Sequence, residues 1–328
     1  MSEAERHEFI VSANVSDGEW DLDRLLAQYG EGELNDLMGE DAVAELLSQV
    51  EAEPKEKGQT DEDEIPETPE EPKSKRGEIY QLGVHRLMCG DSTDMNDVAK
   101  LMAGEKARMV FTDPPWNVAY GSQKNHPSWR QRSILNDKMT TDDFHEFMNK
   151  AFSCLAQASE KGCPSYVVMS AQEWGNLMLA LKDNGYHWSS TIIWAKDRLV
   201  LSRKDYHTQY EPIWYGWLDG APRLCELTDR TQSDLWEIAR PSRSEEHPTM
   251  KPVELVARAI ENSSRDGDLV LDLFGGSGTT LIAAEQLDRP CRMMELDPKY
   301  CDVIRKRWAE FVHGEGCDWE ELTKEVVA

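Results

Sequence analysis

Short apolar runs alternate with longer amphipathic stretches along most of the chain, a pattern typical of sheets whose strands are joined by helices. The apolar runs predict strands at 79–82, 84–89, 110–112, 165–170, 188–195, 209–218, 268–273 and 291–296. The amphipathic stretches predict helices at 95–102, 141–158, 173–184, 253–263, 281–287 and 300–311. The alternation therefore predicts an α/β domain that spans residues 78–312.

The two ends of the chain follow a different pattern. Residues 1–50 contain two candidate helices, Leu22–Tyr29 and Asp41–Val50, which predict an acidic, partly helical appendage. Residues 51–77 are rich in Glu, Lys and Pro, and they hold too few large apolar groups to offset the entropy lost on ordering. We therefore expect a disordered linker at 51–77 and an acidic C-terminal tail at 313–328.

Asp113 directly follows the predicted strand 110–112 and opens the sequence Asp-Pro-Pro-Trp. Proline has no N–H and fixes φ at about −65°, so the strand must end here. Asp113 then lies at the carboxyl edge of the sheet, where open α/β sheets bind ligands. Its carboxylate and the Pro114 carbonyl are acceptors for a planar amine, and Trp116 offers a face to a flat ring. A plain buried strand that ends in a proline turn also fits this pattern.

Residues 268–280 predict a buried strand, a glycine-rich turn and a helix start. Three glycines in the turn allow close backbone approach, and Thr279 and Thr280 are candidates for the helix N-cap. The glycine spacing does not match the dinucleotide fingerprint G-x-G-x-x-G. No Gly-Lys-Ser/Thr follows, so a P-loop that binds phosphate is also poorly supported.

Together, the Asp-Pro-Pro-Trp motif and the Asp-Leu-Phe-Gly-Gly-Ser-Gly-Thr-Thr loop at 272–280 resemble those of the S-adenosylmethionine-dependent amino-methyltransferases of DNA. The amine motif precedes the cofactor loop by roughly 160 residues. This order is similar to that of the circularly permuted beta group, including modification methylases of phages and mobile elements. The resemblance covers about residues 78–312. It implies a doubly wound, mostly parallel Rossmann-like sheet, S-adenosyl-L-methionine as cofactor, and duplex DNA as substrate.

The resemblance also implies roles for individual residues. The implied catalytic residues are Asp113, Pro114, Pro115 and Trp116. Glu295 closes a strand, where an acid takes ribose hydroxyls in nucleotide-binding sheets. The implied cofactor-binding residues are Asp91, Asp113, Thr249, Lys251, Asp272, Phe274, Gly275, Gly276, Ser277, Gly278, Thr279, Glu295 and Asp297.

Three of these cofactor assignments have a structural alternative. Asp91 follows a glycine at a strand end and suits an adenine amine, but it also suits the N-cap of the helix 95–102. Lys251 and Thr249 lie in the turn His-Pro-Thr-Met-Lys-Pro at 247–252, which is similar to a family turn that precedes a cofactor-side helix. An ordinary helix entry would also explain both prolines of this turn.

Two irregular stretches are expected to contact DNA. Residues 117–139 interleave basic groups with an aromatic beside the amine motif, as in a mobile DNA-binding loop, although a solvated loop also fits. Residues 219–246 lie where the family recognises its target sequence. Because this insert is short, readout shared with the first loop or with a second subunit stays open. The predicted DNA-binding residues are Lys124, Arg130, Arg132, Arg198, Arg203, Lys204, Arg240 and Arg243.

The resemblance predicts methyl transfer to the exocyclic N6 amine of adenine. That amine is a poor nucleophile, and acceptance of its two N–H groups by Asp113 and the Pro114 carbonyl would favour a more tetrahedral nitrogen. The base must be flipped out of the duplex to be reached, and Trp116 would stack on it. An Asp-headed motif leans towards adenine in this family, but cytosine N4 has the same amine chemistry and stays an alternative.

The net charge of −26 in 328 residues weakens the prediction of a DNA substrate, because phosphate contacts normally supply much of the affinity for DNA. Any DNA surface must therefore be a local basic patch. The charge keeps open an RNA or protein amino-methyltransferase, and a binding module whose working part is the acidic N-terminal region.

The remaining features of the composition concern cellular location, membrane spans, metal sites and partners. Seven scattered cysteines without C-x-x-C predict reduced thiols in the cytoplasm. No run of eighteen apolar residues is present, so no membrane span is expected. No His/Cys set has metal spacing. Residues 18–26 resemble the segment that joins a ParB-like domain to the methylase in some mobile elements, so a separate ParB-like or restriction partner is an open expectation.

Overall fold

The structure is a computed structural model, and it describes residues 58–118, 138–200, 205–227, 229–240 and 250–326. The chain divides after Lys57, and residues 58–328 form one compact unit. The predicted helices at 22–29 and 41–50 lie outside the described residues.

The described strands form one sheet with the order β10-β1-β2-β9-β8-β3-β4-β6-β5-β7. The strands are β1 Ile79–Leu82, β2 His85–Cys89, β3 Met109–Thr112, β4 Pro164–Val168, β5 Tyr186–Val200, β6 Thr208–Leu218, β7 Leu235–Glu237, β8 Val270–Asp272, β9 Cys291–Glu295 and β10 Glu325–Val326. The helices are α1 Met95–Met102, α2 Thr141–Ala158, α3 Trp174–Asp183, α4 Val253–Ser263, α5 Thr279–Gln286, α6 Pro298–His313 and α7 Trp319–Leu322.

The sheet is parallel at its centre and covered by helices on both faces. Strands β2, β9, β8, β3 and β4 run parallel to one another, whereas β1 pairs antiparallel with β2 and β10, and β6 pairs antiparallel with β4. Val110 and Phe111 point to opposite faces of β3, and each is buried in a different core cluster. One cluster packs under α4, α5 and α6, and the other under α1, α2 and α3. The predicted doubly wound α/β fold is confirmed.

The structure differs from the predicted disordered linker over residues 58–77. Ser74 is buried, and its backbone N–H and its hydroxyl both donate to Asp302 in α6. The Gln59 N–H donates to the Phe311 carbonyl, and Arg307 donates to the Glu62 carbonyl. Buried charges of α6, rather than apolar burial, order this polar segment. The compact unit therefore begins near Gly58 instead of Glu78.

The C-terminal tail and the recognition insert also contain elements that the sequence pattern did not predict. In residues 313–328, α7 and β10 form, and β10 pairs with β1. In the insert 219–246, β7 forms and runs parallel to β5. The strand β5 extends to Val200, five residues beyond its predicted end at Ala195. These additions lengthen both edges of the sheet.

Candidate active site

The carboxyl ends of four neighbouring parallel strands, β2, β9, β8 and β3, meet at one edge of the sheet. The Gly90 N–H after β2 donates to the Glu295 carbonyl (3.0 Å), and the Gly275 N–H after β8 donates to the Met294 carbonyl (2.8 Å). Asp113 follows β3 at the same edge. The topology therefore brings the amine motif and the glycine loop together, although they are far apart along the chain.

The Asp-Pro-Pro-Trp turn fixes the Asp113 carboxylate from two sides. The Trp116 indole N–H donates to Asp113 Oδ1 (2.9 Å), and the Lys251 ammonium donates to Oδ2 (2.6 Å). The Asp113 side chain is still 29% exposed. Each carboxylate oxygen has two lone-pair sites, so both oxygens keep capacity for a further donor. The Asp113 carboxylate is therefore held in a fixed orientation and is also accessible to a further donor.

Lys251 connects Asp113 to two further charges that the sequence analysis missed. Its ammonium lies 3.2 Å from Glu211 Oε2, and Lys196 donates to Glu211 Oε1 (2.5 Å). The Lys251 side chain is only 6% exposed, and its ammonium lies 5.0 Å from the centroid of the Trp116 ring. We call Asp113, Lys251, Glu211 and Lys196, which alternate in sign, the buried charge chain.

The charge chain sets the protonation states of its members. Burial lowers the pKa of Lys251, but the Asp113 and Glu211 carboxylates outweigh burial and hold that pKa above its ordinary value. Burial raises the pKa of Glu211, but Lys251 and Lys196 outweigh it and hold that pKa below its ordinary value. For Asp113 burial prevails, and its pKa lies above the ordinary 3.8 despite Lys251. Burial therefore opposes the charged form of Asp113, whereas the two lysines favour the charged form of Glu211.

Asp272, at the end of β8, supports the glycine loop from within the protein. Its carboxylate accepts hydrogen bonds from the Thr112 hydroxyl (2.8 Å), the Thr280 hydroxyl (2.7 Å) and the Phe274 N–H (3.0 Å). Burial raises the pKa of Asp272 to about 6. The N-cap of α5 is Gly278, and no side chain caps the helix. The prediction that Thr279 and Thr280 are N-cap candidates is therefore wrong. Asp272 links the loop to β3, and its predicted contact with the cofactor stays a prediction.

Glu295 lies beside the glycine loop and fits the role of a ribose acceptor. Its carboxylate accepts the N–H groups of Gly276 and Asp297, both at 2.8 Å, and burial raises its pKa to about 7. The residue is partly exposed, so its oxygens have lone pairs left for hydroxyl donors. Gly276 has a φ of +53°, and a Cβ built there would meet no atom within 4 Å. The loop is therefore open on this side, and these groups suit a nucleoside-bearing cofactor.

The remaining predicted cofactor residues are placed as follows. Asp91 binds the Thr93 N–H and hydroxyl, and the N-cap of α1 is Asp94 instead. Asp297 caps α6. The Ser277 carbonyl accepts from the buried Arg307 (2.9 Å), which the sequence analysis missed. Thr249 lies outside the described residues.

The predicted DNA-binding residues are described only in part. Arg198 is 72% exposed and donates to Asp197 (2.7 Å), which also accepts the Arg240 N–H (3.1 Å). The Asn117 side chain accepts the Met139 N–H (2.7 Å), and this bond closes the base of the predicted DNA-binding loop. Six of the predicted residues lie outside the described ranges: Lys124, Arg130, Arg132, Arg203, Lys204 and Arg243.

Several known proteins resemble this chain. The Type II methyltransferase M2.DpnII of Streptococcus pneumoniae is 27% identical over an alignment of 230 residues, and the match covers 63% of this chain and 84% of the relative. M2.MboI of Moraxella bovis is 25% identical over an alignment of 219 residues, and the match covers 62% of this chain and 80% of the relative. The solved M1.HpyAVI–SAM complex has a TM-score of 0.52 at 18% identity, covering 67% of this chain and 97% of the other. PvuII DNA methyltransferase (cytosine-N4-specific) has a TM-score of 0.55 at 16% identity, covering 76% and 94%.

The relatives agree with the match to a protein family. A model of the N6/N4 methyltransferase type, described as DNA methylase, matches residues 107–306, more than half of the chain. In the described residues no helix is long and apolar enough to cross a membrane. The matched range contains the Asp113 turn, the charge chain, the glycine loop and Glu295. The chain belongs to the N6/N4 DNA methylase family, and it is an S-adenosylmethionine-dependent DNA methyltransferase.

Proposed function

We propose that the enzyme methylates the exocyclic N6 amine of an adenine that is flipped out of duplex DNA at a specific sequence. One observation carries this proposal: Asp113 stands at the sheet edge with both oxygens oriented and its side chain partly exposed. The amine of a base that is flipped out of the duplex can reach Asp113 at this edge, whereas the amine of a stacked base cannot.

The residues of the chain supply the geometry of the reaction. When bound, S-adenosylmethionine supplies a methyl group on a positively charged sulfur. Asp113 accepts one N–H of the target amine and the Pro114 carbonyl accepts the other, so that the nitrogen lone pair faces the methyl group. Trp116 stacks on the base, and its indole N–H keeps Asp113 in orientation. The rate gain is positioning and preorganised electrostatics.

The choice of adenine rests on the Asp-headed motif, which leans towards adenine in the resembled family. Cytosine N4 is the second candidate, since its amine needs the same two acceptors. It is favoured by one specific observation, the shared fold of PvuII DNA methyltransferase, which is described as cytosine-N4-specific. Mass spectrometry of nucleosides from DNA treated with the enzyme distinguishes the two. N6-methyladenine is the expected product, and N4-methylcytosine alone would overturn the choice of base.

Substitution of Asp113 tests the role of the carboxylate. Asp113→Ala should lower the rate of methyl transfer by about a hundredfold or more, because a preorganised charged acceptor is lost. Cofactor affinity, measured by calorimetry, should fall far less than the rate, although Asp113 is also an implied cofactor residue, and Lys251 keeps Glu211 as a partner in the variant. The matched control is Asp183→Ala, on the exposed end of α3. Full activity in Asp113→Ala would overturn the assignment.

We also propose that Arg198 and Arg240 contact the DNA backbone. Arg198 lies two residues after Lys196 in β5, and the Arg240 N–H binds the carboxylate of Asp197, which lies between them in sequence. Arg198→Ala should weaken DNA binding and lower its salt dependence by about one unit of slope. A homodimer, a ParB-like or restriction partner, and a cytoplasmic location remain predictions.

A further inference from the structure

The two carboxylate oxygens of the buried Glu211 contact different lysines at different distances. Oε1 receives the Lys196 ammonium at 2.5 Å. Oε2 faces the Lys251 ammonium at 3.2 Å, a contact that is longer and less well directed. Buried acceptors normally receive well-directed hydrogen bonds, so this weaker contact calls for a reason. The Lys251 ammonium donates a shorter, well-directed bond to Asp113, at 2.6 Å.

The methylation reaction supplies a reason for this arrangement. As the N–C bond forms, the S–C bond of the donor breaks and its electron pair goes to sulfur. The methylated nitrogen then carries an excess proton, which it must release. Asp113, which contacts the amine in the proposed function, is the nearest acceptor, whereas Lys251 is already protonated between two carboxylates.

Uptake of that proton by Asp113 would remove one of the two counter-charges of Lys251. A buried cation without a partner is strongly destabilising. Glu211 Oε2 is positioned to receive the ammonium at this moment, since Nζ lies between Oδ2 of Asp113 and Oε2 of Glu211. Lys196 meanwhile keeps Glu211 charged from its other side.

We propose that Glu211 is a positioning residue that shares the Lys251 ammonium with Asp113, so that Lys251 stays paired while Asp113 holds the proton released by the methylated amine. This inference rests on the proposed function of Asp113. It assigns to the strand pair β5–β6, through Lys196 and Glu211, a part in the proton balance of the reaction.

The pH dependence of the rate tests the inference, because Asp113 must be a carboxylate to accept the amine. Asp113 faces the charges of Lys251 and Glu211 and, more distantly, Asp272. In Glu211→Gln the whole charge of Lys251 acts on Asp113. The fall of the single-turnover rate at low pH, here called the acid limb, should then move to lower pH by about one unit or more. The constant rate above this limb should be at least tenfold lower than in the wild type. The assay measures transfer of a tritiated methyl group to unmodified genomic DNA between pH 5 and 9.

Lys196→Gln should move the same limb in the opposite direction. Without Lys196, Glu211 draws Lys251 more strongly and leaves Asp113 with less positive charge. Glu211→Asp, which retains the charge, should keep the limb close to that of the wild-type enzyme. The matched control is Glu146→Gln, on the exposed surface of α2, which should leave the limb in place. Opposite shifts from two charge removals would not follow from a merely structural role.

Acid limbs that coincide in Glu211→Gln, Lys196→Gln and the wild type would overturn the inference. If Glu211→Gln does not fold, Lys196→Gln alone decides, and an unmoved limb in that variant overturns it.

A second readout needs no DNA. In protein with ¹³C-labelled Asp carboxyl groups, the Asp113 signal is assigned by its loss in Asp113→Asn. Its titration should shift in the same directions as the limbs. If the wild type methylates no nucleic acid, the proposed function fails and the proton-transfer role of Asp113 fails with it. The titration then still shows whether Glu211 and Asp113 share the Lys251 ammonium.

Discussion

Ser74→Ala should destabilise the catalytic unit, although Ser74 lies in a stretch whose composition is typical of disorder. The Ser74 hydroxyl donates to Asp302 Oδ1 at 2.6 Å and accepts from Arg305 Nη1 at 3.0 Å. All three residues are buried, Ser74 with only 2% exposure. A hydrogen bond to a charged group contributes about 1.5–3 kcal/mol. Loss of both should therefore lower the free energy of unfolding by about 3 kcal/mol, a large part of the roughly 5–15 kcal/mol typical of a folded protein.

Urea denaturation with linear extrapolation measures this change directly. The control is Ser189→Ala on β5, where the serine is exposed and an effect within about 0.5 kcal/mol is expected. A loss for Ser74→Ala no larger than that of the control would refute the reasoning, because a disordered linker would behave in the same way.

Truncation tests whether the whole segment 58–75 stabilises the catalytic unit. A chain that begins at Gly58 should fold and bind the cofactor. A chain that begins at Arg76 lacks the donors to Asp302, the Glu62 carbonyl that Arg307 binds, and the Asp63 carboxylate that accepts the Val253 N–H of α4. We expect the shorter chain to aggregate or to lose cofactor binding. Equal stability of the two chains would show that the segment is dispensable.

Two predictions concern the cofactor side. At about pH 8, above the pKa of about 7 of Glu295, Glu295→Ala should weaken S-adenosylmethionine binding, measured by calorimetry, about 10- to 100-fold, since ribose hydroxyls lose a charged acceptor worth about 1.5–3 kcal/mol. Unchanged affinity would contradict the assignment. Burial raises the pKa of Asp272 from 3.8 to about 6, so its contribution to folding is greatest below about pH 4 and is lost as pH rises through about 6. Asp272→Asn should flatten this fall in urea denaturation between pH 4 and 7, and an unchanged slope would contradict it.

The sheet and the position of Asp113 could be predicted because they depend on local patterns. A strand such as β3 is buried on both faces and appears as an apolar run, and the prolines after Asp113 end it at a defined residue. The glycine loop was recognised for the same reason, since its glycines are adjacent in sequence. The contact between these two motifs followed from the general rule that parallel strands end at one edge.

The charge chain could not be predicted because its members come from separate elements. Lys196 and Glu211 lie on β5 and β6, and their contact depends on the antiparallel register that pairs Ala195 with Tyr210. One signal was present in the sequence: each charge interrupts or ends a run of aromatic and apolar residues that predicts a strand. Ionised residues are almost never fully buried unless paired, so two such interruptions in neighbouring strands indicate a buried ion pair.

The order of residues 58–77 was missed for a related physical reason. Compositional arguments for disorder count the apolar surface that a segment can bury. This segment instead supplies polar groups to charges that α6 already buries, Asp302 and Arg307. The stabilisation comes from completing the hydrogen bonds of another element, and that need is not visible in the composition of the segment itself.

The charge chain also bears on how so acidic a protein can present a carboxylate to DNA. With a net charge of −26, the protein as a whole repels a polyanion, and in the proposed function the base enters beside the Asp113 carboxylate. Asp113 and Glu211 are balanced one for one by Lys251 and Lys196, so the four groups sum to zero charge. The base therefore approaches a site that orients its amine without adding to the repulsion of the phosphates. Affinity for the DNA backbone must then come from basic groups other than Lys251 and Lys196, and we propose Arg198 and Arg240 as two of them.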